Sequence, residues 1–366
     1  MQRQDLNRRA VLAAAKSEFA ERGYRQATVD GIAERAELTR GAVYSNFPGK
    51  RALYFAVLAQ EAEQSPPPAG GGPGETPAAA LAAFAGTWLE RLPTASLDRV
   101  DGIEQFQSPM LSLDLIPEVL SEETVRRPFA QLIKLDAVLL GAALSALARY
   151  PDVPLASYVG MAESTLTILY GATQLSFVAP EIIDPPRLIE LCEEVGRLEP
   201  GQPPERLGAN EFQPPTRVDE AWSLPPSVDR LRGSAVRSIN DGFVLVLGMN
   251  RIAAIEQLMA AASHEDQVVV VLVSAASAEV LPLARLAIAD FSRSLRYAFP
   301  ARALPAVQIV VDEDAISAGL VEAGTPLDDN VEAAMIIRHG RIIARAAGDR
   351  ACGRIAASIR KDAPDR

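Results

Sequence analysis

Residues 28–50 read TVDGIAERAELTRGAVYSNFPGK, and the reading of this stretch decides how the rest of the chain is understood. Thr28 stands where an N-cap hydroxyl belongs, ahead of VDGIAERA, in which Val29, Ile32 and Ala33 share one helical face. A tight turn follows around Ala36 to Leu38, and small Ala33 and Ala36 allow two helices to approach there. Thr39 is placed to cap a second short helix. From it Val43 and Phe47 point inward, leaving Arg40, Ala42, Tyr44 and Ser45 to face outward. A helix this short and this lightly encumbered on its outer face can enter the major groove of duplex DNA. Upstream, Leu12, Ala15 and Phe19 recur at helix spacing, and Gly23 marks a stop.

Charge agrees with that reading. Residues 1–60 hold ten Lys/Arg and six Asp/Glu, a net +4, in a chain whose net charge is −11, so the remainder carries −15. A cationic head on an acidic body suits a molecule that offers one end to phosphate. The chain has 366 residues, 48% of them apolar, which suits two or three globular domains. The longest apolar run, around Val268 to Val273, is too short to cross a bilayer, so no membrane partner is expected. The opening MQRQDLNRRA has no apolar signal core, and two cysteines, Cys192 and Cys352, make neither a disulfide framework nor a metal cage. A cytoplasmic protein without metal or cofactor is the expectation.

Two proline-rich stretches divide the chain. Ser65 to Pro77 reads SPPPAGGGPGETP, and Glu199 to Pro226 contains seven prolines. They delimit 1–64 as a helix-turn-helix domain, 78–198 as a helical domain and 228–366 as a third unit. In the middle unit, helical runs cover 77–92, 128–150 and 154–180, with a shorter helix at 184–198. The third unit turns to strand-length β-branched runs at 243–249, 267–274, 306–311 and 334–338, with 341–346 closing a hairpin. Helix-like spans at 250–262, 279–296 and 314–323 separate them, so a mixed sheet covered by helices is predicted. The fold class is therefore all-α for the N-terminal two-thirds and α/β for the C-terminal part.

The head resembles the TetR (tetracycline-repressor-like) family of bacterial regulators. Phe19, Gly23, Tyr24, Thr28, Ile32, Ala33, Leu38, Thr39, Gly41, Tyr44, Phe47 and Lys50 all fall at that family's spacing. Glu37 departs from it, standing where a turn glycine is usual, and Asn46 replaces a common histidine. The resemblance implies that Arg40, Gly41, Ala42 and Ser45 approach base edges, with Thr39 at the start of their helix. It also implies that Thr28, Tyr44, Asn46 and Lys50 hold phosphates. It further implies a homodimer on a palindromic double-stranded DNA operator and a small-molecule effector in the helical domain, in the manner of a repressor. Gly160, Ser164 and Gly171 form a small-residue stripe suited to the dimer contact. Phe84, Trp88, Phe106, Met110, Phe129 and Met161 are candidates to line an effector cavity, although residues of these types are more often plain core.

The order of elements in the third unit resembles the thioredoxin-like fold, nearer to peroxiredoxins. Redox chemistry there needs a thiolate after the first strand, where Gly248-Met249-Asn250-Arg251 supplies none. His264 and His339 read as a helix end and a turn. The unit is thus expected to bind rather than catalyse, and to be released by protease at the second proline-rich stretch. Two rival readings make it the working enzyme or a docking module for a protein partner. No nucleophile–base pair or P-loop supports the first.

Overall fold

The computed structural model describes residues 2–66, 68, 72–92, 115–148, 152–201, 213–313, 316–321 and 325–362. The head is built from α1 (Gln2–Gln26), α2 (Val29–Arg35), α3 (Arg40–Tyr44) and α4 (Lys50–Gln64). Gly23 interrupts α1 as the sequence predicts, with φ at +68° and ψ at 166°. The helical body follows as α5 (Pro77–Leu89), α6 (Leu115–Leu120), α7 (Glu123–Leu147), α8 (Leu155–Val178) and α9 (Pro185–Arg197). By length and composition alone α7 would suit a bilayer, contrary to the sequence reading, but most of it is buried among α5, α8 and the helix α11 described below. It is a core helix.

The C-terminal part contains β1 (Thr216–Ala221), the short strands β2 (Val228–Asp229) and β3 (Ser234–Ala235), and β4 (Gly242–Gly248). These are followed by α10 (Ile255–Met259), β5 (Gln267–Val273), α11 (Ser277–Ala298), β6 (Val307–Val311), β7 (Glu332–Arg338), β8 (Arg341–Ala347) and α12 (Ala351–Asp362). Six strands form one sheet in the order β1-β8-β7-β4-β5-β6. β4, β5 and β6 are parallel, while β7, β8 and β1 join antiparallel. All residues of β4 and β6 are buried, which explains their unbroken apolar sequence. The predicted strands are all present. Of the third predicted helix, 314–323, the described residues hold the short turn Ile316–Gly319, and β1, β2, β3 and α12 are additional.

The edge strand β6 does not end in free backbone. The buried Asp229 carboxylate accepts from Ile309 N at 3.1 Å, and Arg230 N donates to Ile309 O at 2.7 Å. Beside them the Gln308 amide exchanges two hydrogen bonds with the backbone of Arg237, at 2.7 and 2.9 Å. At the opposite edge β1 is solvated, and its Asp219 and Glu220 pair with Arg341 and Arg345 of β8.

Although proline-rich stretches separate the three units in sequence, they share one core. A single apolar cluster runs from Val11 through Phe84 and Leu132 to Leu283, Phe291 and Ile355. The cause is α11, which is buried around most of its circumference. One side covers the sheet, and the rest packs on α4, α5 and α7. Within this junction Arg91 and Asp290 form a buried ion pair, and Arg91 Nη2 also donates to Ser294 Oγ at 3.2 Å.

Asp136 of α7 is buried nearby, and desolvation followed by repulsion from Asp290 pushes its carboxyl well above the usual range. Folding therefore takes up a proton at pH values between the ordinary and the raised pKa of this group. The stability this group contributes is present below its unfolded pKa of about 4 and declines as pH rises towards the folded value. Asp136→Asn should stabilise the fold at pH 7, with the gain vanishing near pH 4. Urea titrations at the two pH values check this, and an equal effect at both would contradict it.

Candidate nucleic-acid interface

Local chemistry sets the shape of the head. Thr28 Oγ1 accepts from Gly31 N at 3.0 Å and Thr39 Oγ1 from Ala42 N at 3.2 Å, so both threonines are N-caps. Between the two helices the chain turns through Glu37 with φ at +54°, the left-handed region in which glycine is favoured. A side chain there costs about 1 kcal/mol, and the turn is closed by Leu38 N on Ala33 O at 3.0 Å. Val43 and Phe47 are buried, while Arg40, Gly41, Tyr44 and Ser45 are exposed and Ala42 is half-buried. α3 thus presents the expected residues outward.

The sequence did not reveal how the head is fastened. Glu18 is fully buried and accepts from Arg35 Nε at 2.7 Å, tying α1 to α2. Its carboxylate lies where a Cβ on Gly31 would come within 2.6 Å of Oε1, so Gly31 provides the space. Arg8 lies over the Phe47 ring, 4.6 Å from its centroid. Lys50, expected to hold a phosphate, donates instead to the carbonyls of Tyr24, Arg25 and Ala27 at 2.8, 3.3 and 3.3 Å. An ammonium has three N–H groups, and these contacts engage all of them. Lys50 is the latch between the start of α4 and the end of α1.

The other expected phosphate ligands are partly engaged as well. Asn46 Nδ2 donates to Ala42 O at 2.8 Å. Arg40 leans on Tyr44, with Nη2 3.4 Å from the phenol oxygen and Nη1 3.4 Å from Asp30 Oδ1. Both Arg40 partners are solvent-exposed, so the guanidinium can be redirected at little cost.

Two short helices with this turn, an outward reading face and a cationic surround define a helix-turn-helix domain of the DNA-binding type. Residues 11–57 match the family model described as bacterial regulatory proteins, tetR family. An HTH-type transcriptional repressor of Mycobacterium tuberculosis is 39% identical over 57 residues, 16% of this chain. The match spans only 30% of that relative's length. Among solved structures, a TetR transcriptional regulator from Rhodococcus sp. RHA1 aligns with 53% of this chain and 95% of its own, at 17% identity and a TM-score of 0.33. A second transcriptional regulator from the same organism aligns with 52% and 92%, at 19% identity and a TM-score of 0.34.

The effector candidates do not converge on one cavity. Phe84 and Trp88 are closed into the core, with Phe84 5.8 Å from Phe291 of α11 and Trp88 Nε1 donating to Thr173 Oγ1 at 3.0 Å. Phe129 is buried, and Phe106 and Met110 lie outside the described residues. Met161 lines a cavity of about 360 Å³ beside Tyr158 and Leu198. A second groove, about 460 Å³, runs between α7 and α8 past Ile133, Lys134, Glu163 and Tyr170. In the proposed dimer stripe, Ser164 and Gly171 are exposed and a Cβ on Gly160 or Gly171 would meet nothing within 4 Å. Leu175, Val178, Ile182, Leu191 and Leu198 on α8, α9 and their connection are also exposed.

In the C-terminal part, the end of β4 is sealed. A Cβ on Gly248 would fall 2.4–2.5 Å from backbone atoms of Asp328 and Asp329, and Asn250 N donates to Asp329 O at 2.7 Å. Both thiols are buried: Cys192 lies on α9, whereas Cys352 is close to this point, its N donating at 3.0 Å to Glu332, which faces Leu247 across β4 and β7. Burial pushes the Cys192 thiol up to about 11 and the Cys352 thiol well above its usual range. His264 and His339 are exposed.

Proposed function

We propose that this protein is a ligand-responsive transcriptional repressor that acts in the cytoplasm as a homodimer on a palindromic operator. The observation that carries the reading is the outward face of α3. Arg40, Gly41, Tyr44 and Ser45 are solvent-facing on a capped helix inside a segment that matches the tetR family. Ala42 joins them near the base edges, and Thr28, Thr39, Tyr44 and Asn46 stand at the flanking backbone. Lys50 acts by holding α1 against α4. The exposed stripe of α8, with the apolar residues of α9, supports dimerisation through these helices. The grooves beside Met161 and Tyr170 are the openings proposed for a small effector.

For the α/β part, the strand order and the terminal hairpin-plus-helix support a thioredoxin-like sheet. Its sealed β4 end and high-pKa thiols support a binding role without redox catalysis.

Selection of bound duplexes from a random pool, followed by footprinting, tests the reading. Two protected half-sites about one helical turn apart and steep salt dependence are expected. Arg40→Ala should reduce affinity for the selected site by about 1–3 kcal/mol, the range for a bidentate base contact, and relax preference at one position. Failure of the wild type to shift any duplex at low salt would end the proposal.

A further inference from the structure

Every residue of α4 from Ala52 to Ala59 is buried, so this helix has neighbours on all sides. Helix geometry sorts them. Tyr54 meets Phe19 and Tyr24 of α1 at ring distances of 5.3 and 4.6 Å, and Glu61 pairs with Lys16 at 2.7 Å. That face belongs to the reading head. At 3.6 residues per turn, Ala52, Ala56, Ala59 and Glu63 fall within about 60° of one another and roughly opposite that face. Glu63 accepts from Arg285 of α11 through both oxygens, at 2.9 and 2.6 Å. The alanine stripe is therefore the face laid on α11, and its small side chains allow close approach of the two helices. At the other end of α4, Arg51 Nη2 donates to Glu279 of α11 at 2.7 Å.

α11 thus grips α4 at both ends, and it is anchored in the sheet. It begins four residues after β5 ends, on the side of the carboxyl ends of the parallel strands. The Glu63 contact reaches the sheet independently. Arg230 of the β2–β3 hairpin bonds Glu63 at 2.9 Å and Glu313 at 3.4 Å, and Arg285 bonds Glu313 at 3.2 Å. Glu313 lies just past the carboxyl end of β6. On the opposite side, the head is held to the helical body by Tyr24 Oη on Glu118 at 2.8 Å and by Arg51 on Glu122 at 2.9 Å.

From this arrangement we infer that the α/β domain is a control arm for the reading head. A change at the carboxyl ends of β5 and β6 moves α11, and α11 moves α4 together with α1, α2 and α3. The head is suspended between two supports, so weakening the α11 contact leaves it pivoting on α6 and α7. The effect on an operator rests on the DNA-binding reading above, whereas the mechanical coupling does not.

The test uses the full-length chain with Arg285→Glu, its partner-swapped form Glu63→Arg/Arg285→Glu, and the milder Arg285→Gln. Hydrogen exchange without DNA is followed in α1–α3, α4, α11, α8 and α9, and binding is measured to the duplex selected by the wild type. Arg285→Glu should speed exchange in α1–α3 about tenfold while α8 and α9 keep their protection, the behaviour of local rather than global opening. Duplex affinity should fall by about tenfold, within the range of ordinary coupling between sites, and the swapped pair should recover part of both, because it restores the 63–285 pair but sets like charges against Arg230 and Glu313. If α8 and α9 also lose protection in Arg285→Glu, the same comparison is made with Arg285→Gln, for which a smaller change of the same pattern is expected. Faster exchange in α4 and α11 with α1–α3 unchanged would overturn the inference. A wild type that binds no duplex would remove the operator consequence and leave the exchange result to decide the coupling.

Discussion

A chain ended after Gly201 is expected to give an aggregating, partly folded product in place of an autonomous DNA-binding fragment. Removing the α/β domain strips the alanine face from α4 and takes Phe291 from Phe84. It also leaves Arg91 without Asp290 and Glu63 without both arginines. Fully burying a Val, Leu, Ile or Phe side chain is worth about 1.5–3 kcal/mol. Uncovering only five of those under α11 would therefore remove on the order of 10 kcal/mol, comparable to the whole stability of a typical domain. The measurements are dye binding to exposed apolar surface, near-ultraviolet circular dichroism and sedimentation. A monodisperse fragment that melts cooperatively and footprints the selected operator would show that the shared core is dispensable. The punctuation of the sequence favoured that result, because proline-rich connections mark boundaries of the chain and not boundaries of packing.

The second large effect is expected at Asp290. Asp290→Ala should destabilise the full-length protein by about 3–5 kcal/mol, because it leaves the Arg91 guanidinium buried and unpaired. The side chains of Arg91 and Asp290 are 6% and 5% exposed, so water cannot take over the lost role. Replacing both together, Arg91→Met with Asp290→Leu, should recover most of the loss, since removing a whole buried pair is often near neutral. Denaturant unfolding curves at pH 7 report both values. A loss below about 1 kcal/mol in Asp290→Ala would mean that the pair behaves as a solvated surface contact.

The legible parts of the fold were those set by neighbours in sequence. Thr28, Thr39, Val43 and Phe47 act within a turn or two of themselves, and each lies where its spacing placed it. The buried parallel strands were readable because both faces are covered and the sequence is apolar throughout. β1 lies inside the stretch whose prolines mark a linker; TRVDEA is charged and mostly exposed, and it is a strand only through its pairing with β8. The role of Lys50 depends on where the end of α1 lies, which no local pattern states. The docking of α11 on α4 joins residues more than 200 positions apart, as Arg51 and Glu279 show. Its one sequence signal was the run from Ala52 to Ala59, too apolar all round for a helix with a wet side.

The capping of β6 has a consequence for how copies of this chain can associate. An uncapped edge strand is a template on which another chain can lay its own backbone and extend the sheet into an open-ended stack. Here Asp229, Arg230 and Gln308 hold backbone groups along or beside that edge, while the other edge, β1, carries Arg217, Asp219 and Glu220 on a strand that shifts register between Arg217 and Glu220. Sheet-to-sheet growth is obstructed at both ends. In the homodimer proposed above, two copies would meet through side chains of their helices, and an isologous contact of that kind closes on itself after one partner.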